Sequence, residues 1–199
     1  MELADAVRRR RMVRSFRPNP IPAGSVERIL DHARRVPSAG FAQGFAYVVL
    51  EGPDETSRYW DATLPTDRRA DFPWPGLLLA PVLVIPCVDP DAYIARYSEP
   101  DKARTRLGTS LDAWKVPYWF VDAGMSAMTM LLSVVDEGLG ACFFGLFEHE
   151  AAVKQALGIP AAIRPAGAVA IGYPADDRPS RSTQRGRRPL GDVVHRGGW

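Results

Sequence analysis

At 199 residues, 46% hydrophobic and 24% charged with a net charge of +2, the chain can bury the core of a single domain and carries too little net charge to mark a nucleic-acid or membrane-surface binder. Cys87 and Cys142 sit in apolar runs without paired spacing, which argues against a disulfide framework and for a reducing cytoplasm. The N-terminus lacks an apolar signal core, and the longest uncharged apolar stretch, Ala123–Val135, has 13 residues where a membrane span needs roughly 20.

Residues 2–11 and 22–36 carry apolar side chains at helical spacing, the second run opened by Pro22 and ended by Pro37. Phe45–Leu50 and Val82–Val88 read as strands, with Pro86 pointing to a sheet edge or a bulge. Between them lies a Pro-punctuated stretch with a short amphipathic segment near Glu55–Thr63, and residues 89–116 are polar with scattered aromatics. The longest predicted helix runs from Tyr118 to Leu139 and is apolar on several faces, which calls for burial on several sides. Ala141–Leu146 is a predicted strand, His149–Leu157 a short helix closed by Gly158, and Pro165–Ile171 a further strand. Residues 175–199 are polar and Arg-rich, an arm with too little apolar content to pack alone. The pattern predicts one α+β sandwich over residues 1–199, with no repeats and no internal boundary.

The basic residues comprise 22 Arg and 3 Lys, a bias that weakens any argument from a single Arg. Arg10 and Arg14, four apart near the end of the first helix, suit a phosphate as a pair; the alternative is a solvated basic face. Pro37-Ser38-Ala39-Gly40-Phe41-Ala42-Gln43 offers a backbone cradle, or an ordinary helix-to-strand loop. Gly138-Leu139-Gly140 fits a helix C-cap and tight turn as well as a close approach to a ligand. It is not the dinucleotide fingerprint, whose strand and helix come in the other order. Arg185, Arg187 and Arg188 form either a basic tail or, with Arg10 and Arg14, a neutralising set for a dianion. Residues 60–119 concentrate aromatics, among them Trp60, Phe72, Trp74, Trp114 and Trp119, suited to a lid over a flat ligand or to subunit packing. His32, His149 and His195 are far apart with no ligand spacing, and neither a nucleophile elbow nor a Walker loop occurs. Redox chemistry would therefore come from a bound cofactor.

Taken together these segments resemble the nitroreductase family of FMN proteins. Arg10-Arg11-Met12-Val13-Arg14-Ser15-Phe16 resembles its opening Arg-Arg-Ser-x-Arg-x-Phe, and Pro37-Ser38-Ala39 with Gln43 its Pro-Ser-Ala/Ser turn. Gly138-Leu139-Gly140 with Gly145, Gly172-Tyr173-Pro174, and Arg185-x-Arg187-x-Pro189-Leu190 are similar to later motifs in the same order. The resemblance implies a central, mainly antiparallel sheet flanked by helices, in a homodimer formed through the long helix. It further implies a C-terminal arm embracing the partner and FMN in each interface cleft. By position, Arg10, Arg185 and Arg187 would hold the phosphate, with backbone from Arg11 and Met12, and Arg14 would face the N1/O2 edge of the flavin. Pro37, Ser38, Ala39 and Gln43 would line the isoalloxazine and ribityl, with Gly138, Leu139 and Gly140 near the ring. Met12 departs from the usual Ser, and Phe41 and Gly44 from Asn and Pro.

The implied activity passes hydride from NAD(P)H through flavin N5 to a small planar electron-poor acceptor, such as a nitroaromatic or quinone, in ping-pong fashion. The same fold also serves dehydrogenases, dehalogenases and deazaflavin-linked enzymes, and a flavin binder with little turnover is a further reading. A nucleic-acid module built on Arg8–Arg17 and Arg178–Arg188 would bind with steep salt dependence, and neither net charge nor motif favours it.

Overall fold

A computed structural model describes residues 1–178 and 180–199. In chain order the elements are α1 (Leu3–Arg9), α2 (Ser25–Ala33), β1 (Phe45–Glu51), α3 (Gly52–Thr63), β2 (Val82–Val88) and α4 (Pro90–Tyr97). There follow α5 (Tyr118–Asp136), β3 (Gly140–Phe144), α6 (Glu150–Leu157), β4 (Arg164–Pro165) and β5 (Ala168–Gly172). The sheet runs β1-β2-β5-β3, antiparallel throughout, with β4 added to β2.

Every residue of β2 is buried, because both sheet faces are covered. Val82 and Val84 point with Val169 and Ile171 toward α2 and α5, where Ile29, Met130 and Val134 meet them. Leu83, Ile85 and Cys87 point the other way, toward Tyr59, Trp60 and Val153 of α3 and α6. This period of two on a strand enclosed from both sides produces the continuous apolar run seen in the sequence.

Pro86 lies in an interior strand, so of the two expectations for it the bulge is correct. The register between β2 and its neighbour steps by one residue between Val84↔Val169 and Cys87↔Pro165. The intervening Ala166 donates its N–H to the Pro86 carbonyl at 2.8 Å. A proline without an N–H is tolerated where the ladder is interrupted. Within the polar stretch 89–116 the chain forms α4, opened by Asp89, whose carboxylate accepts from the Asp91 N–H at 3.0 Å, with Pro90 in the first turn.

Helix α5 is long and apolar enough to cross a membrane by length and composition, yet half of it is buried within the fold. Its C-terminal end is tied to α2 by Glu137, which accepts from Arg28 Nε and Nη2 at 2.8 and 2.7 Å and from Ser25 Oγ at 2.9 Å. Beyond Gly186 the arm is exposed throughout, including Leu190, Val193, Val194 and Trp199.

The Arg28 guanidinium, with help from Ser25, holds the Glu137 carboxyl down at about 2, against an ordinary 4.5. A depressed carboxyl contributes stability above its unfolded pKa and loses it as pH falls through the folded value. Chemical denaturation as a function of pH should therefore show stability falling between about pH 4.5 and about pH 2, and Glu137→Gln should flatten that part of the curve. An unaltered slope in the variant would remove Glu137 from the account.

Candidate functional site

After α1 ends at Arg9 the chain turns extended and joins the free edge of β3: Met12 pairs in parallel with Ala141, and Val13 N–H donates to the Ala141 carbonyl at 2.9 Å. The expectation that Arg10 and Arg14 share a helix face is thereby corrected. They share a side through the two-residue period of extended backbone, with Met12 between them. Met12, where the family motif has Ser, accepts the Phe143 N–H at its Sδ at 3.4 Å.

Gly138, in left-handed conformation at φ 74°, caps α5, and Leu139 is buried in the core. Gly140 is where the N-terminal segment crosses closest: a β-carbon there would lie 2.9 Å from Val13 Cγ2 and 2.8 Å from Pro174 Cγ. These three residues thus seat the Arg10–Arg14 segment on the sheet.

Arg10, Arg11, Met12 and Arg14 form one wall of a groove of about 360 Å³, and the start of the C-terminal arm, with Arg178, Ser180 and Thr183, forms the other. Asp177 fastens the walls together, accepting the Arg14 backbone N–H at 2.7 Å. Arg185 and Arg187 do not line this groove; the structure faces Arg10 with Arg178 instead. Trp74 sits between two guanidiniums, with Arg14 5.2 Å and Arg178 4.9 Å from its ring centroid, and Arg178 Nη2 donates to the Pro73 carbonyl at 2.6 Å.

Arg14 also borders a second cavity, about 530 Å³, walled by aromatic side chains. Trp60 and Phe144 stack there at 5.9 Å and 10°, with Tyr59 edge-on to both. Burial pushes the Cys142 thiol in its wall upward, with Arg14 opposing, so this thiol stays protonated near pH 7. Among the described residues no group of His, Cys, Asp or Glu is arranged to hold a metal ion. The aromatics of residues 60–119 divide in two: Trp60, Phe72 and Trp74 wall this cavity, whereas Tyr93, Tyr97, Trp114 and Trp119 pack together beneath α4.

The turn Pro37–Gln43 lies elsewhere, at the N-terminal end of α5. Asp122, 1% exposed, accepts the Ala39 N–H at 2.9 Å and the Tyr93 hydroxyl at 2.7 Å. Burial and the bond to Asp122 hold the Tyr93 phenol well above its ordinary range, so it remains a donor. Arg96 Nε donates to the Gly40 carbonyl at 2.7 Å, and Ser38 Oγ accepts the Gln43 N–H at 2.9 Å. Phe41 and Gln43 take left-handed φ values of 59° and 50°, and Phe41 is 72% exposed. The turn and the Arg10–Arg14 segment are on opposite sheet edges, about 19 Å apart at ordinary strand spacing.

Arg178 and Asp122 are additions to the sequence-based cofactor set, and Trp74, read from the sequence only among the clustered aromatics, joins them. Asp122 carried a usable signal as the sole acid in the apolar run Tyr118–Val135, where a buried charge demands partners.

A family model described as the Nitroreductase family matches residues 7–173. The chain belongs to the nitroreductase family. Its arm, including Arg185 and Arg187, lies beyond the matched residues. It is 27% identical over 195 residues to a protein of Thermus thermophilus named NADH dehydrogenase, covering 89% of each chain. NfrA1 of B. megaterium superposes with a TM-score of 0.76 at 17% identity, over 99% of this chain and 74% of that one. A Desulfovibrio desulfuricans protein named as a nitroreductase and solved in complex with FMN superposes with a TM-score of 0.72 at 21% identity, over 100% of this chain and 98% of that one. The α+β architecture expected from the motifs is the fold these structures share.

Replacing Asp122 with Ala leaves the Ala39 N–H and the Tyr93 hydroxyl without their acceptor, and an unpaired buried donor costs about 1–3 kcal/mol. Tyr93→Phe removes one bond and orphans less, at about 1 kcal/mol. Denaturant midpoints should rank the two variants in that order, and equal losses would mean that Asp122 does not organise the turn.

Proposed function

We propose that this chain is an FMN-dependent oxidoreductase that works as a homodimer and carries reducing equivalents from NAD(P)H to a planar, electron-poor acceptor. The observation that carries this reading is the double membership of Arg14, whose side chain borders both a groove of guanidiniums and hydroxyls and a cavity of aromatic rings. A mononucleotide has that same division into an anionic tail and a flat ring.

The residues present fit the cofactor. Guanidiniums match phosphate oxygens in pairs, and Ser180, Ser182 and Thr183 supply hydroxyl donors. The one carboxylate in the groove wall, Asp177, accepts from the Arg14 backbone N–H. We assign Arg10 and Arg178 to the phosphate, joined by Arg185 and Arg187 if the arm crosses to the partner, with Arg11 and Met12 contributing backbone. Arg14 provides fixed positive charge where negative charge develops on the ring, its orientation held by Trp74 and the Met12 carbonyl. Gly138, Leu139 and Gly140 hold this wall in place, and Pro37, Ser38, Ala39 and Gln43 reach the ring from the second subunit.

That second subunit is supported by geometry. The turn and the Arg segment lie too far apart in one protomer to share a ligand, and α5 presents Val121 and Met128 to solvent for pairing. Bound FMN would supply a two-electron relay at N5, and the net reaction with a quinone is NAD(P)H + H⁺ + quinone → NAD(P)⁺ + hydroquinone. The side chains bind, orient and exclude water, and none is asked to act as a nucleophile. The free, buried Cys87 and Cys142 support a cytoplasmic setting.

Protein purified with added FMN should show bound-flavin absorbance, bleach anaerobically with NADH or NADPH, and give parallel double-reciprocal plots. Arg10→Ala should weaken FMN binding by about 1.5–3 kcal/mol, roughly 10- to 100-fold in Kd, read by fluorescence titration. Colourless protein that takes up no FMN would overturn the reading.

A further inference from the structure

We infer that Arg9 and Arg11 form a second dianion site beside the phosphate groove, which holds the 2′-phosphate of NADPH and makes NADPH the preferred reductant over NADH. The inference rests on the oxidoreductase reading and names which of the two nicotinamide donors the protein uses.

The N-terminal segment presents two sets of side chains. Arg10, Met12 and Arg14 line the groove already described, whereas Arg9, Arg11 and Val13 line a separate cavity of about 300 Å³. Arg11 borders both spaces, so the cavity continues the groove at that residue. Its floor is apolar, built from the buried Val13, Val135 and Leu139 with Pro174 beside them.

The positive charge here is uncompensated. Among the described residues no carboxylate lines the cavity. Asp136 and Glu137, which follow Val135 in the chain, are already paired with the Met1 amine and with Arg28. Arg9 Nη1 meets the Met1 sulphur at 3.9 Å, a weak acceptor. The arginine bias of the chain does not explain this, because Arg34, Arg69, Arg96 and Arg164 each hold a carboxylate. The carbonyls at the end of α5 would repel an anion, but they are taken up locally. Those of Ser133, Val134 and Val135 accept the N–H groups of Glu137, Leu139 and Gly138 at 3.0, 3.0 and 3.1 Å.

Two guanidiniums over an apolar floor suit a phosphate monoester on a carbon skeleton, since each fork can engage two oxygens and stays charged at any working pH. The cofactor's own phosphate is assigned to Arg10 and Arg178, so this cavity takes a second one. In the proposed reaction NADPH supplies it, and NADH carries only a hydroxyl at the same position.

The test is anaerobic reduction of the FMN-loaded protein by NADPH and by NADH. Wild type should favour NADPH at least tenfold in kcat/KM, the size of one charge-assisted hydrogen bond. Arg9→Ser should lower kcat/KM for NADPH roughly tenfold and leave NADH unaltered, Arg9→Lys should recover part of the loss, and Arg9→Ser/Arg11→Ser should abolish the preference. Arg9 and Arg11 are exposed, so the Tm should hold in all three variants. Calorimetry reads the site without turnover: 2′,5′-ADP should bind wild type more tightly than ADP, and Arg9→Ser should erase the difference. Equal use of the two nucleotides by wild type, or an unchanged ratio in the double variant, would overturn the inference. So would inorganic phosphate binding as tightly as 2′,5′-ADP, which would make the cavity a general oxyanion site. Bound flavin reduced by neither nucleotide would instead sink the oxidoreductase reading.

Discussion

Helix α5 sets the spacing on which the rest of the molecule depends. At 1.5 Å per residue its 19 residues span about 28 Å. Near its N-terminal end Asp122 grips the Pro37–Gln43 turn, and past its C-terminal end Gly138 and Gly140 bring the chain back against Val13. The strand order β1-β2-β5-β3 repeats the separation across the sheet, because the turn feeds one edge strand and the Arg segment lines the other. On the dimeric reading proposed above, these two segments, held apart by a rigid rod, would meet on one ligand when a second copy reverses the rod. The helix that imposes this distance also leaves Val121 and Met128 exposed, and α1 beside it exposes Leu3 and Val7. The spacing and an exposed apolar face thus come from the same element.

Hydrophobic burial alone would not fix where the other segments sit along α5, because burial has no direction. Polar ties do that work. Asp122 reaches Ala39 and Tyr93, Ser126 lies 2.6 Å from the Tyr47 hydroxyl on β1, Ser133 lies 3.0 Å from His32 Nδ1 on α2, and Glu137 takes Ser25 and Arg28. Each bond adds only about 1 kcal/mol net, yet a shifted register would strand several buried polar groups together. The positions of β1, α2 and the turn against the helix are therefore specified by a few side chains scattered along an otherwise apolar sequence.

What could be read from the sequence follows from the same division. Strands β1 and β2, helix α5 and the family motifs were legible because periodicity and local turn chemistry are properties of neighbouring residues. Helix α4 was obscured by its scattered aromatics, although Asp89-Pro90 carried the cap and first-turn signal. The shared side of Arg10 and Arg14 was read with the wrong period, since α1 stops at Arg9 for reasons that lie in the distant edge of β3. Trp74 between Arg14 and Arg178 joins three segments far apart in the chain, and no local pattern announces such a meeting. The site was therefore visible as motifs and invisible as neighbours.

Three of the left-handed non-glycine residues, Phe41, Gln43 and Phe147, fall into two kinds. Phe41 and Gln43 are strained, but the turn holding them is fastened by Asp122, Arg96 and Ser38, so their geometry is over-determined. Phe147 has no comparable clamp, and its ring rests on Gly145. A left-handed L-residue costs roughly 1–2 kcal/mol, and glycine at position 147 would avoid that cost without disturbing the core. Selection for stability alone favours the glycine; retention of a phenyl ring on an exposed, lightly held turn follows when the ring contacts something outside the fold.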